Sequence, residues 1–241
     1  MDISSQVLAQ LKVYADPGRA RHSQKYFKSA AGEYGAGDRF LGVRVPDTRR
    51  VARNFKSLPL SDYTILITSP WHEVRFLALI VLVEQFKNAD DGQQEKIYKV
   101  YMRHRSGVNN WDLVDTSAPS IAGGYFRTRP RQALHELSRS GNLWDRRIAV
   151  LACFRFIRDN DFPDALDIAR QLIPDRHDLI HKAVGWMLRE IGNRNRVVEE
   201  TFLRQHCHSM PRTMLRYAIE KFPAPRRKRY LRDCTAVTSQ L

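Results

Sequence analysis

Trp111 and Asp115 stand four residues apart in NNWDLVDTSAP, between a polar run and a helix-like one. In a helix both side chains would leave the same face, so an aromatic plate and a carboxylate would look into one space. Arg147, three residues after Trp144, and Trp186 inside KAVGWMLRE share that kind of setting later in the chain. A carboxylate stabilises positive charge, and the negative faces of indole rings attract it. Two Trp, one Asp and one Arg therefore suit a reaction whose centre becomes cationic. Cleavage of a glycosidic bond passes through an oxocarbenium-like state, which a carboxylate near the anomeric carbon can stabilise while orienting the attacking water. A base alkylated at a ring nitrogen already carries positive charge and departs neutral. It needs no protonating acid, so one carboxylate suffices where ordinary glycosidases use two.

Each residue also has a plainer reading. Trp71 and Trp144 read as core residues of helices. Asp112 and Asp115 could be caps or solvated acids, and Arg147 one solvated arginine among many. His206-Cys207-His208 invites a metal, but no fourth ligand stands at a zinc spacing, and no metal or cofactor is expected. Cys153, Cys207 and Cys234 are an odd count without CxxC spacing, which argues against a disulfide framework and for a reducing compartment. RRKRYLR near the C-terminus reads as a solvated or phosphate-facing end.

The surface that would carry these residues is basic. The formal net charge is +14, and the 40 basic residues divide into 30 Arg and 10 Lys. Arginine matches phosphate geometry bidentately and displaces condensed counterions, so the balance favours a nucleic-acid surface. No recognition helix, zinc finger or RNA-binding motif is visible, which leaves phosphate-backbone contacts as the mode of grip. The N-terminal stretch shows no basic leader. The longest apolar run, 76–83, falls far short of the roughly 20 residues that span a bilayer. A cytoplasmic protein without membrane contact is expected.

Helical elements must position the candidates. With 43% hydrophobic residues the chain can bury a substantial core. Residues 5–14 carry an apolar stripe of Val7, Leu8, Leu11 and Val13 after Ser residues that can cap, ended by Asp16-Pro17-Gly18. A second basic helix spans about 19–28. Gly32, Gly35 and Gly37 then mark a loop that matches no phosphate-cradle pattern and reads as a surface connection, with Arg44 near a nucleic-acid backbone. Pro46-Asp47-Thr48 starts another helix. Beyond it, apolar runs recur with short breaks and almost no alternating pattern. Small alanines recur at Ala78, Ala149, Ala183 and Ala218, spaced 71, 34 and 35 residues apart. The first gap is two units of about 35, with NNWDLVDTSAP in its middle. Such a period indicates an all-α chain, an α-solenoid of HEAT-like repeats. Stacked repeats would line Asp115, Arg147 and Trp186 along a concave basic face. The expectation is a single domain over 1–241, with N-terminal helices and the Gly-rich loop over about 1–60 and a repeat array over about 61–241.

At these residues the chain resembles the AlkD-like family of DNA alkylation-repair glycosylases, built of HEAT-like repeats. The resemblance covers most of the chain and is carried by FLGVRVPDTRR, PWHEVRFLALIVLVEQF, NNWDLVD, NLWDRRIAVL, KAVGWMLRE and MPRTMLRYAIEKF. It implies a monofunctional glycosylase that removes positively charged alkylpurines, such as 3-methyladenine and 7-methylguanine, from duplex DNA without flipping the damaged nucleotide. It places the catalytic acid on Asp115, the two sugar-contacting aromatics on Trp111 and Trp186, and a phosphate-contacting arginine on Arg147. Arg44, Arg189 and Arg216 are expected as further DNA contacts. The chain departs from the family's most familiar members in its longer connection GEYGAGDRFLGVRVP and in Asn110, where they carry an aromatic. The expected partner is double-stranded DNA containing alkylated bases, bound by a monomer. The alternative is a non-catalytic HEAT-repeat nucleic-acid-binding or scaffold protein, which would bind tightly and salt-sensitively yet release no base.

Overall fold

A computed structural model describes residues 2–234. The chain groups into two compact units, Met1–Tyr125 and Phe126–Leu241. Both are helical. Among the described residues the only strand-like feature is an isolated bridge between Arg39 and Trp71. None of the described helices is long and apolar enough to cross a membrane.

The first unit contains α1 (Ile3–Lys12), α2 (Pro17–Tyr26), α3 (Val45–Ala52), α4 (Leu60–Leu66), α5 (His72–Lys87), α6 (Asp91–Arg103), α7 (Trp111–Ser117) and α8 (Ala122–Tyr125). Helix α5 is its axis. The run 76–83 within it is apolar all round, and α1, α3, α4, α6 and α7 pack against the helix. Caps set the helix starts. Asp2 accepts from Ser5 N, so α1 begins before the Ser residues expected to cap it. Asp16 accepts from Arg19 N with Pro17 in the first turn. Val7 and Leu11 are buried as the stripe requires, but Val13 lies beyond the helix end and is 77% exposed.

The Gly-rich connection is more than a surface link. Its far end is fastened by Glu73, whose carboxylate accepts from the backbone N–H groups of Leu41 (3.0 Å), Gly42 (2.8 Å) and Val43 (3.3 Å). Gly42 has φ +76° and lies so close to α2 that a Cβ would fall 2.2 Å from the Asp16 carbonyl oxygen, so no other residue fits there.

The second unit contains α9 (Gln132–Leu137), α10 (Leu143–Arg158), α11 (Pro163–Gln171), α12 (Asp178–Arg194), α13 (Arg196–His206), α14 (Arg212–Ala218) and α15 (Ala224–Asp233). Helix α10 packs on α12, and α12 on α14. The alanines that set the period lie in these helices and in α5, and Ala78, Ala149, Ala183 and Ala218 are all fully or almost fully buried. Small residues at those positions let the inner helices approach closely, the packing that successive repeats need. Trp144 joins the core as expected, whereas Trp71 is only half-buried, at the cap position before α5.

The cysteines correct one expectation. Cys207 and Cys234 form a disulfide, with Cα atoms 5.4 Å apart, between the residue ending α13 and the residue ending α15. Their sequence separation of 27 hides the pair from any spacing rule, because only the α13–α15 turnaround brings them together. The His208 side chain lies beside the bonded sulfurs, its ligand atom within 4.8 Å of them. Cys153 is the buried free thiol expected of a core residue, and burial pushes its pKa far up.

Candidate functional site

In the first unit, Asn110 starts the stretch that matters. Its backbone is extended and its side-chain oxygen accepts from Trp111 N at 2.9 Å, so α7 begins at the Trp. Asp115 follows one turn later on the same face, and both residues are half-buried. The indole is held by an aromatic cluster from α2 and the loop. It stacks on Phe27, with ring centroids 5.4 Å apart, and meets the edge of Tyr26 at 5.8 Å. Phe27 in turn covers Phe40 (5.3 Å) and His72 (4.9 Å). This stack fixes the plane of Trp111, which stays half-buried.

A buried ionic cluster lies under the stack. His72, 3% exposed at the start of α5, is placed between two carboxylates: Nδ1 is 3.1 Å from Asp38 Oδ2 and Nε2 is 2.8 Å from Asp112 Oδ2. Arg75 pairs with Asp38 at 2.7 Å and donates to Asn109 at 3.2 Å. Burial disfavours the charged ring, but the Asp112 charge and the bonds to Asp112 and Asp38 win, raising its pKa to about 9. Burial also opposes ionisation of Asp38, and there the His72 bond and the Arg75 charge keep its carboxyl below the usual range. Asp112 is thus neither a cap nor a solvated acid. It ties the first turn of α7 to α5.

His72, Asp38, Phe27 and Phe40 were not among the candidates read from the sequence. One signal was available: HEVR opens the most apolar helix of the chain, and charges at the mouth of a wholly buried helix must find partners. Arg44, the cap residue of α3, is exposed, as a phosphate contact requires.

In the second unit, Trp186 is half-buried on α12, donates from Nε1 to Glu190 at 3.1 Å, and has Phe154 at 5.8 Å. Arg147 is not a solvated arginine: it is 4% exposed on α10 and donates to the Leu179 carbonyl at 2.6 Å, joining α10 to α12. Arg189 forms ion pairs with Glu220 and Glu190, so two carboxylates temper its charge. Arg216 is exposed and lines a cleft of about 590 Å³ with Lys182, Arg227, Asp178 and Glu220. Each candidate therefore has a defined place in its own unit. Arg44 and Arg216 face solvent, Trp111, Asp115 and Trp186 are partly open, and Arg147 is packed.

A family model described as DNA alkylation repair enzyme matches residues 7–222, and the chain belongs to that family. A search of curated proteins gives no match. Among solved structures, the chain is similar to one described as a predicted DNA alkylation repair enzyme from Enterococcus faecalis, with a TM-score of 0.67 and 14% identity over 87% of this chain and 97% of that one. At that identity the likeness speaks for the α-solenoid fold alone.

Proposed function

We infer that the protein is a monofunctional DNA glycosylase that hydrolyses the N-glycosidic bond of positively charged N-alkylated purines, 3-methyladenine and 7-methylguanine, in duplex DNA without flipping the base. The observation that carries this reading is the pairing of Trp111 with Asp115 on one turn of α7, both partly open, with the Trp111 indole held by Phe27 and Tyr26. Membership of the alkylation-repair family supports it.

In this reaction the bond from C1′ to the purine nitrogen breaks and its electron pair neutralises the cationic base. A water oxygen adds to C1′ and releases its proton to solvent. Asp115 stabilises the positive charge on the sugar and orients that water, a role for which an ionised, preorganised carboxylate is suited. Trp111, and Trp186 in its own unit, carry indole faces of the kind that attract a cationic sugar. Arg44, Arg189 and Arg216 are assigned to backbone phosphates, as is Arg147, the assignment its burial supports least. The site needs no cofactor or metal in this scheme, and one chain suffices.

The test is incubation of the purified protein with methylated duplex DNA, followed by chromatography of released bases. Release of 3-methyladenine and 7-methylguanine by the wild type, and release slower by about 10²- to 10³-fold in Asp115→Asn, is expected. Tight, salt-sensitive binding without release would favour the non-catalytic nucleic-acid-binding module instead.

A further inference from the structure

The best-built polar cluster of the first unit is one that the hydrolysis does not touch: Asp38, His72, Arg75 and Asp112. A neutral imidazole has one N–H and can donate to one carboxylate, whereas an imidazolium donates to both. His72 has a carboxylate oxygen within hydrogen-bond distance of each ring nitrogen. Phe27 at 4.9 Å and Phe40 at 4.8 Å also pack against the ring. The ring reaches Trp111 by two routes. One is Asp112, the next residue in the chain, and the other is Phe27, which stacks on the indole. The second oxygen of Asp112 is buried without a hydrogen-bond partner, so His72 is the group that compensates this carboxylate.

We propose that His72 is a positioning residue for the Trp111–Asp115 pair: as an imidazolium bridging Asp38 and Asp112, it locks the first turn of α7 and so aims the indole and the carboxylate at the sugar. This rests on the glycosylase reading above. The charged groups that face the ring are Asp38 from the loop, Asp112 from α7 and, opposing protonation, Arg75 from its own helix. The neighbouring polar group Asn109 is neutral and is occupied by Arg75. With the ring protonated up to about pH 9, the clamp is closed at neutral pH and opens when the ring loses its proton. One N–H then remains for two carboxylates.

Single-turnover release of 7-methylguanine from methylated duplex DNA, followed from pH 6 to 10, tests the assignment alongside nitrogen NMR of the histidine rings. In the wild type both His72 nitrogens should be protonated at pH 8, and the rate should fall roughly tenfold as pH rises through 9. His72→Gln should release base about 10- to 100-fold more slowly at pH 7, a misalignment-sized loss, with affinity for undamaged DNA unchanged and the alkaline fall abolished. Asp112→Asn keeps His72 but removes one carboxylate, so its alkaline fall should move to lower pH; this variant decides the matter if His72→Gln does not fold. Wild-type activity with a His72 that titrates near 6.5, or an Asp112→Asn profile that superimposes on the wild type, overturns the role of His72 alone. Absence of base release by the wild type at every pH overturns the glycosylase reading and this role with it, whatever the NMR shows.

Discussion

Gly35 and Asn110 touch where no side chain could intervene. A Cβ on Gly35 would lie 2.4 Å from the Phe27 carbonyl oxygen and 2.9 Å from Asn110 Nδ2, which itself donates to that carbonyl at 3.3 Å. The glycine-bearing connection and the Asn before Trp111 are joined by this contact. In the fold they are one feature: the loop closes over the Asn that caps α7.

Gly35→Ala should therefore destabilise the protein by about 1–3 kcal/mol, the usual cost of forcing extra atoms into a packed place. A lower denaturant midpoint with an unchanged slope would show it. Gly37→Ala makes a useful contrast, because Gly37 has open space around it and only a positive φ to strain.

Asp115→Asn should lower base release by about 10²- to 10³-fold, the scale of losing one preorganised electrostatic group. Affinity for undamaged duplex should stay the same or rise slightly, since the lost carboxylate repels phosphate. Filter binding at two salt concentrations beside the release assay separates the two effects.

Two buried groups make stability fall toward alkaline pH, in different windows. The folded-state pKa of His72, about 9, lies above the ordinary 6.5, so its contribution is fully present below about pH 6.5 and disappears as pH rises through 9. Burial pushes Glu199 to about 8 from 4.5, and its contribution is present below 4.5 and disappears as pH rises through 8. Thermal melts from pH 5 to 10 should show Glu199→Gln flattening the lower window and His72→Gln the upper. At pH 7 His72→Gln should also cost about 3–5 kcal/mol, because it leaves the Asp112 carboxylate without its cation while Asp38 keeps Arg75.

Glu199 makes a second test possible. Its Oε2 would stand 1.7 Å from a Cβ on Gly192, so the carboxyl group packs directly on the backbone of α12. Gly192→Ala should destabilise the second unit by about 1–3 kcal/mol or more. A melting temperature equal to the wild type would contradict that packing.

Reduction of Cys207–Cys234 frees a closed loop and should lower stability by about 2–4 kcal/mol under the chain-entropy account of disulfides. Denaturant melts with and without reductant, compared with the same pair in Cys207→Ser, measure it. The variant should show no response to reductant.

What the sequence revealed depended on the range of the interaction. The helical periods were legible, and so were the burial of Ala78, Ala149, Ala183 and Ala218 and the shared face of Trp111 and Asp115, because all arise within a few turns of one helix. The His72 bridge joins residues 34 and 40 positions apart, and the Asn110–Phe27 contact spans 83. No local pattern records such pairings. Arg147 illustrates the same limit: its position in α10 was predictable, but its burial came from the Leu179 carbonyl of the neighbouring helix. The Cys207–Cys234 bond was missed for the same reason.

The aromatic and ionic groups described around Trp111 from outside α7 stand far earlier in the chain, at residues 26, 27, 38, 40 and 72. A transplant of NNWDLVD into another helical scaffold would carry the reacting groups without their alignment. Substitutions in the loop, conversely, would shift the setting of Trp111 while leaving the sequence of α7 itself unchanged, so the loop and α7 have to vary together.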